Sequence, residues 1–165
     1  MDYSYAEAGV KRKETIGTYA IRVLMVFAVI IAFLISSLHF ITLIIGMAVI
    51  LAVIYFFPKL KVDYEYIYVD GQMDFDKIMG GSKRKTDLRI DFEQVQMMAP
   101  QGSHALDPYK NLTLKTKDYS SREEGSKPYV IIYQKGDAAY RILFEPNEKM
   151  INAIKLKSPR KVAEY

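Results

Sequence analysis

Residues 23–57 read VLMVFAVIIAFLISSLHFITLIIGMAVILAVIYFF: 35 positions with no Asp, Glu, Lys or Arg and one histidine, His39. A soluble core helix keeps a polar face, whereas a bilayer's hydrocarbon layer of about 30 Å calls for roughly 20 apolar residues per helical crossing. Counted from Thr18, a single helix of roughly 39 residues would be nearly 60 Å long at about 1.5 Å per residue. Tilt does not absorb that excess. The stretch therefore predicts a transmembrane hairpin over 18–57, broken at Ser36-Ser37-Leu38-His39 into helices at 18–36 and 40–57.

Outward from the hairpin, charge sets orientation. Lys11, Arg12, Lys13 and Arg22 precede or enter the first helix, Lys59 and Lys61 follow the second, and the connection carries no Lys or Arg. Such cations stay inside, so both termini are expected in the cytoplasm and the chain in the cell (inner or plasma) membrane. A cleaved leader fits poorly, because the first apolar run is too long for one and no small-x-small site followed by a soluble chain appears before the second. Residues 1–17 read as a frayed cytoplasmic tail, with Tyr3, Tyr5 and Tyr19 as headgroup-level aromatics. His39 sits at the turn, which makes it a turn residue rather than a proton relay. Gly46 with Ala48 or Ala52 on one helix, and Ala28 and Ala32 on the other, are small enough for close approach. Two helices without paired charges line no pore, and Pro58 stops the second span.

After Pro58 the periodicity changes from helix to strand. Val62, Tyr64, Tyr66 and Tyr68 alternate with polar neighbours until Asp70-Gly71, a pair suited to the positive φ of a tight hairpin. Met73, Phe75 and Met79 mark the return strand and Gly80-Gly81-Ser82 the next turn. Thr86, Leu88, Ile90 and Phe92 form a half-buried strand, and residues 95–99 a short fourth one. Residues 100–111, PQGSHALDPYKN, are a loop. A strand follows at 112–117, then a polar segment, 118–127, expected to be mobile. Residues 129–134 are apolar on both faces and so central. Lys135-Gly136-Asp137 turns the chain into a strand through Tyr140, Ile142 and Phe144. A helix over 146–158 ends the domain, with Pro146 at its first position and Lys155 and Lys157 at its negative end. The fold class is thus a membrane α-hairpin plus an α+β domain over 58–165: a sandwich or barrel of seven antiparallel strands, joined by hairpins throughout, and one C-terminal helix.

Composition closes several routes. Without cysteine there are no disulfides, thiolate zinc sites or cysteine nucleophiles. Two histidines and scattered carboxylates such as Asp74 and Asp76 build no metal site, so no metal and no cofactor are expected. Four of the 23 Lys and Arg and three of the 19 Asp and Glu precede Pro58, leaving 19 against 16 and a domain charge of +3. Nucleic acid wants a far larger basic field.

The order of elements resembles the pleckstrin-homology-like (PH-like) fold, two nearly orthogonal sheets with a C-terminal helix. Gly80-Gly81-Ser82-Lys83-Arg84-Lys85 leading into Ile90-Asp91-Phe92-Glu93-Gln94-Val95 is similar to the corner of bacterial membrane-anchored PH-like domains. The stretches YVDGQMDFDKIMGGSKRK, APQGSHALDPYKN and FEPNEKM with SPRKV resemble a family of small two-span proteins of gram-positive anaerobes, a domain of unknown function. The resemblance implies fold and location, and no activity.

Two surfaces emerge as candidates. Lys83, Arg84 and Lys85 place three cations at a hairpin end, where lipid phosphates could be met; a solvated turn is the plain alternative. The 100–111 loop holds Ser103, His104, Asp107 and Tyr109. Ser, His and Asp are the residue types of a hydrolase triad, but triad members converge from distant segments, and three neighbours on one loop do not. No catalytic residue is expected. The loop serves better as a contact surface for an unknown protein partner or for self-association. The expected function is a non-enzymatic, membrane-anchored interaction or scaffold domain, with anionic-lipid sensing by Lys83–Lys85 as the alternative.

Overall fold

A computed structural model describes residues 5–37, 39–136 and 138–163. Asp2, Tyr3, Leu38 of the hairpin break, Asp137 of the last turn and Tyr165 lie outside the described residues. The chain divides into two units, one of residues 13–62 with 79–83 and one of the remainder.

The first unit holds α1 (Ile16–Ser36) and α2 (Phe40–Phe56), both long and apolar enough to cross a membrane and almost wholly exposed. Thr15 caps α1 by accepting the Thr18 N–H. That starts the helix two residues before the expected 18. Arg22, the charge inside the span, is held by both oxygens of Glu14 at 2.5 and 2.6 Å and stacks 5.5 Å from the Phe57 ring centre. At the break, the Ser36 and Ser37 hydroxyls donate back to the Phe33 and Leu34 carbonyls. The His39 N–H donates to Thr42 Oγ1 at 3.1 Å, and the Thr42 hydroxyl returns to the His39 carbonyl at 2.6 Å. Helix ends left open in hydrocarbon are costly, so these side chains are what permit a tight reversal. Gly46 is buried: a Cβ there would lie 3.1 Å from the Ala32 carbonyl and 3.3 Å from Ser36 Cβ. Ala28 and Ala32 share that seam, while Ala48 and Ala52 are exposed and take no part in it.

Below α2 a 3-10 turn, Pro58–Leu60, leads out of the span. The Gly80-Gly81 turn belongs to this unit as well. The Gly80 N–H donates to the Lys61 carbonyl at 3.0 Å, and a Cβ on Gly80 would sit 3.2 Å from the Pro58 carbonyl. With φ of 63° and 73° the two glycines adopt a bend that side chains resist.

The second unit is a two-sheet β domain. Its first sheet has the order β1-β2-β3-β4: β1 (Tyr5–Lys11), β2 (Val62–Val69), β3 (Gln72–Met79) and β4 (Lys83–Asp91). β1 corrects the expected frayed tail. It pairs antiparallel with β2 from Tyr5↔Val69 to Lys11↔Asp63, and it turns Ala6, Ala8 and Val10 inward, with Ala6 fully buried. Hydrogen bonding to β2 supplies what its small side chains lack in hydrophobic drive. Asp70 and Gly71, at φ of 45° and 92°, make the anticipated hairpin.

The second sheet has the order β5-β7-β8-β6: β5 (Val95–Pro100), β6 (Lys115–Asp118), β7 (Tyr129–Lys135) and β8 (Ala138–Phe144). The described strands number eight rather than seven, in two separate sheets without barrel closure. Hairpins do not join them throughout, since β6 lies parallel to β8, from Lys115↔Tyr140 to Asp118↔Leu143. The reason is the segment after β6, expected to be mobile and found tied down. Tyr119, Ser120 and Ser121 are buried. Asp118 accepts from Ser120 and Arg122, and Glu145 accepts from the Ser121 N–H and hydroxyl, each at 2.8 Å.

Between the sheets lie Tyr66, Phe75, Phe92, Phe144, Met73, Met98, Ile131 and Ile142. Tyr66 meets Phe144 edge to face at 5.5 Å and 88°, and its hydroxyl donates to the Tyr119 carbonyl at 2.5 Å. α3 (Glu148–Lys157) adds Met150 and Ile154. It starts later than the expected 146, because Asn147 accepts the Met150 N–H and is the cap. The Asn147 amide donates to the Glu7 carbonyl of β1 at 2.9 Å, and Lys157 bonds Asp70.

Candidate interaction site

The 100–111 loop leaves β5 at Pro100 and tightens into a 3-10 helix, His104–Tyr109. Ser103 caps it, its Oγ accepting the Ala105 N–H at 3.3 Å. Leu106 is thereby turned inward against Ala99, Val130 and Ile132, a small apolar cluster on the outer face of the second sheet. Tyr109 and Leu114 pack beside it.

The four loop residues do not converge. Ser103 and Tyr109 line a cleft of about 260 Å³ between the loop and the sheet, while His104 and Asp107 face away from it. The His104 side chain is fully exposed, at 101% of its reference area, and its Nδ1 lies 3.1 Å from Asp107 Oδ2. Asp107 also accepts from Lys110 at 2.6 Å. The Lys110 ammonium first, and then the His104 ring, hold the Asp107 carboxyl below the usual carboxylate range. Ser103 is engaged as a cap on the other side of this pair, so the geometry is that of a braced loop and not of a nucleophile with its base.

Arg141 was not singled out from the sequence, yet it lines the same cleft. It lies opposite Ile132 on β7 and Thr116 on β6. The signal was available in the alternation of β8: Ile142 and Phe144 face the core, which puts Arg141 and Leu143 on the outer face. Among the described residues the Arg141 side chain has no hydrogen-bond or ion-pair partner. It is half-buried, in a cleft whose apolar lining is Leu106, Leu114, Val130 and Ile132.

The three cations of the β3–β4 turn are not equivalent. Arg84, half-exposed, lies across the sheet, bonded to Glu65 on β2 and 3.7 Å from the buried Asp76 on β3. Lys83 and Lys85 are exposed and have no hydrogen-bond or ion-pair partner among the described residues. Lys83 shares its unit with Lys59 and Lys61, and the Lys59 ammonium sits 3.0 Å from the Tyr55 ring centre. No group of three or more metal-ligating residues occurs among the described residues.

Two four-stranded sheets enclosing an aromatic core, with a C-terminal helix packed into it and two apolar helices ahead of most strands, are consistent with a membrane-associated PH-like domain protein. The chain belongs to the family described as Bacterial PH-like domain (DUF6106), which matches residues 1–164. Neither a curated protein nor a solved structure matches it.

Proposed function

We propose that the protein is a non-enzymatic interaction or scaffold domain tethered at the cytoplasmic face of the membrane. The observation that carries this reading is the pairing of β1 with β2. The two strands flank α1 and α2 in the chain, so if both helices cross a bilayer, their outer ends must meet on one side of it. A tethered domain, rather than a channel or a translocated one, is what such a topology provides. The Lys and Arg of residues 11–13 and of Lys59 and Lys61 favour the cytoplasm as that side. Contact surfaces are the sheet edges and the 100–111 loop, since strand addition uses backbone groups alone. Cross-linking in intact membranes, followed by detergent extraction, is expected to give a species heavier than the monomer. A monomeric mass with no attached chain would overturn the reading.

A second reading, contact with anionic lipid headgroups, is favoured by the seat of the Gly80-Gly81 turn on Pro58 and Lys61 at the end of α2. It holds Lys83 in one unit with Lys59 and Lys61. Each surface cation is worth about 1 kcal/mol near an anionic leaflet. Exchanging Lys83 and Lys85 for Gln is expected to weaken the preference of the reconstituted chain for phosphatidylglycerol over phosphatidylcholine. Arg84→Gln is expected instead to loosen the sheet. An unaltered preference in the double Lys variant removes lipid contact.

A further inference from the structure

We propose that the Arg141 cleft receives one carboxylate and the adjoining apolar side chain of an acidic protein segment, which names the partner chemistry of the interaction domain and rests on that reading. Three features select this occupant. At about 260 Å³ the cleft falls below the 300–1,000 Å³ of ordinary small-molecule sites, a size for one or two side chains of a larger partner. Its walls, Leu106, Leu114, Val130 and Ile132, take an apolar group. Its one cation without an ion-pair partner among the described residues is the half-buried Arg141 guanidinium.

A guanidinium removed from water in this way is poorly satisfied until a planar anion meets it with two parallel N–H···O bonds. The count of cations then decides which anion. Lys110, the other basic residue of the cleft, is already bonded to Asp107 at 2.6 Å. One available positive charge matches a carboxylate, whereas phosphorylated segments are read by clusters of arginine. Tyr109, at the rim, adds a hydroxyl beside the apolar walls.

The test uses the full chain in lipid nanodiscs, panned against a phage library of random decapeptides. Selected peptides are expected to place Asp, Glu or the free C-terminus within two residues of Leu, Ile, Val or Phe. Binding of such a synthetic peptide is expected to fall about 10- to 100-fold in Arg141→Gln, the loss typical of a charged hydrogen bond, and less in Arg141→Lys. Leu114→Glu, which supplies a carboxylate at the cleft from the chain itself, is expected to abolish binding, with circular dichroism confirming that the variant is folded. It keeps the proposal testable if Arg141→Gln fails to fold. The absence of enriched peptides, enrichment without acidic residues, or equal binding by Arg141→Gln or a folded Leu114→Glu overturns the proposal. So does displacement of the peptide by phosphatidylglycerol vesicles, which would assign the cleft to lipid. If a partner cross-links equally to wild type and Arg141→Gln, the cleft proposal fails and the interaction reading stands; if no partner is found at all, both fail.

Discussion

Tyr119 shows how one side chain orders a segment whose composition reads as solvent. Its ring stacks on Phe75 at 4.8 Å and meets Tyr64 edge to face at 5.3 Å. Its hydroxyl donates to Asp87 at 2.6 Å, and Lys117 donates to the same oxygen at 3.0 Å. The Tyr119 hydrogen bond is the main reason that the Asp87 carboxyl titrates below its usual range, and burial of the Tyr119 ring with that bond pushes its own phenol up. Because the folded-state pKa of Asp87 is depressed, its stabilisation is complete above the unfolded value of about 3.9 and disappears as pH falls through the folded value. Tyr119→Phe is thus expected to cost about 1 kcal/mol at pH 7, with the gap to wild type narrowing as acid protonates Asp87 in the folded state. Urea titrations in micelles at pH 7 and pH 2.5 check this; an equal gap at both would show that the ring alone matters. Such anchoring is not visible in DYSSREEGSK, because the residues that satisfy Tyr119 and Ser121 come from β4, β8 and the chain after it. Arg141 escaped for a related reason: its significance lies in the apolar residues across the sheet, not in its neighbours in sequence.

Among the elements, those with a strong local period were legible. The apolar run announced α1 and α2, Asp70-Gly71 announced the first hairpin, and Tyr129–Gln134, apolar on both faces, announced β7, which lies between β5 and β8. β1 was not legible. YAEAGVK is short, rich in small residues and separated from β2 by the whole helical pair. Local alternation cannot identify a partner so far along the chain, and Ala and Gly are poor strand formers. The expected strand at 112–117 failed in the opposite sense: its alternation was real, but Leu112 is 54% exposed and β6 begins only at Lys115. If β1 belongs to the folded domain, Ala6→Asp puts an uncompensated charge at a fully buried position, at a cost of about 3 kcal/mol. Lys11→Gln, on the exposed face of the same strand, is expected to stay within about 0.5 kcal/mol. Chemical denaturation of the two variants distinguishes a structural strand from a tail, since a tail would tolerate both.

At the scale of the whole molecule, the chain interrupts its own first sheet with the helical pair and then returns to finish it. Lys11 and Asp63 stand opposite each other in the ladder, so everything between them is, for the sheet, one long connection. Loop-closure entropy grows only slowly with length, which is why so large an insertion is tolerated between paired strands. The same register predicts what happens when it is removed. Replacing residues 13–61 by Asn-Gly, a pair that favours the two-residue turn between antiparallel strands, joins Arg12 to Val62 through that turn and keeps the Arg12 contacts with Tyr64 and the Asp118 carbonyl. The excised chain is expected to be soluble without detergent and to melt cooperatively. Deleting α2 alone is expected to be far more damaging, because a single crossing would leave β1 and β2 on opposite sides of the membrane with no sheet to form. Limited proteolysis, in membrane vesicles for wild type and the single-span chain and in solution for the excised chain, separates the cases: wild type and excised chain should resist digestion between β2 and α3, and the single-span chain should not. A single-span chain with an intact, protected domain would show that β1 is dispensable and that its pairing says nothing about which side of the bilayer the two flanks occupy.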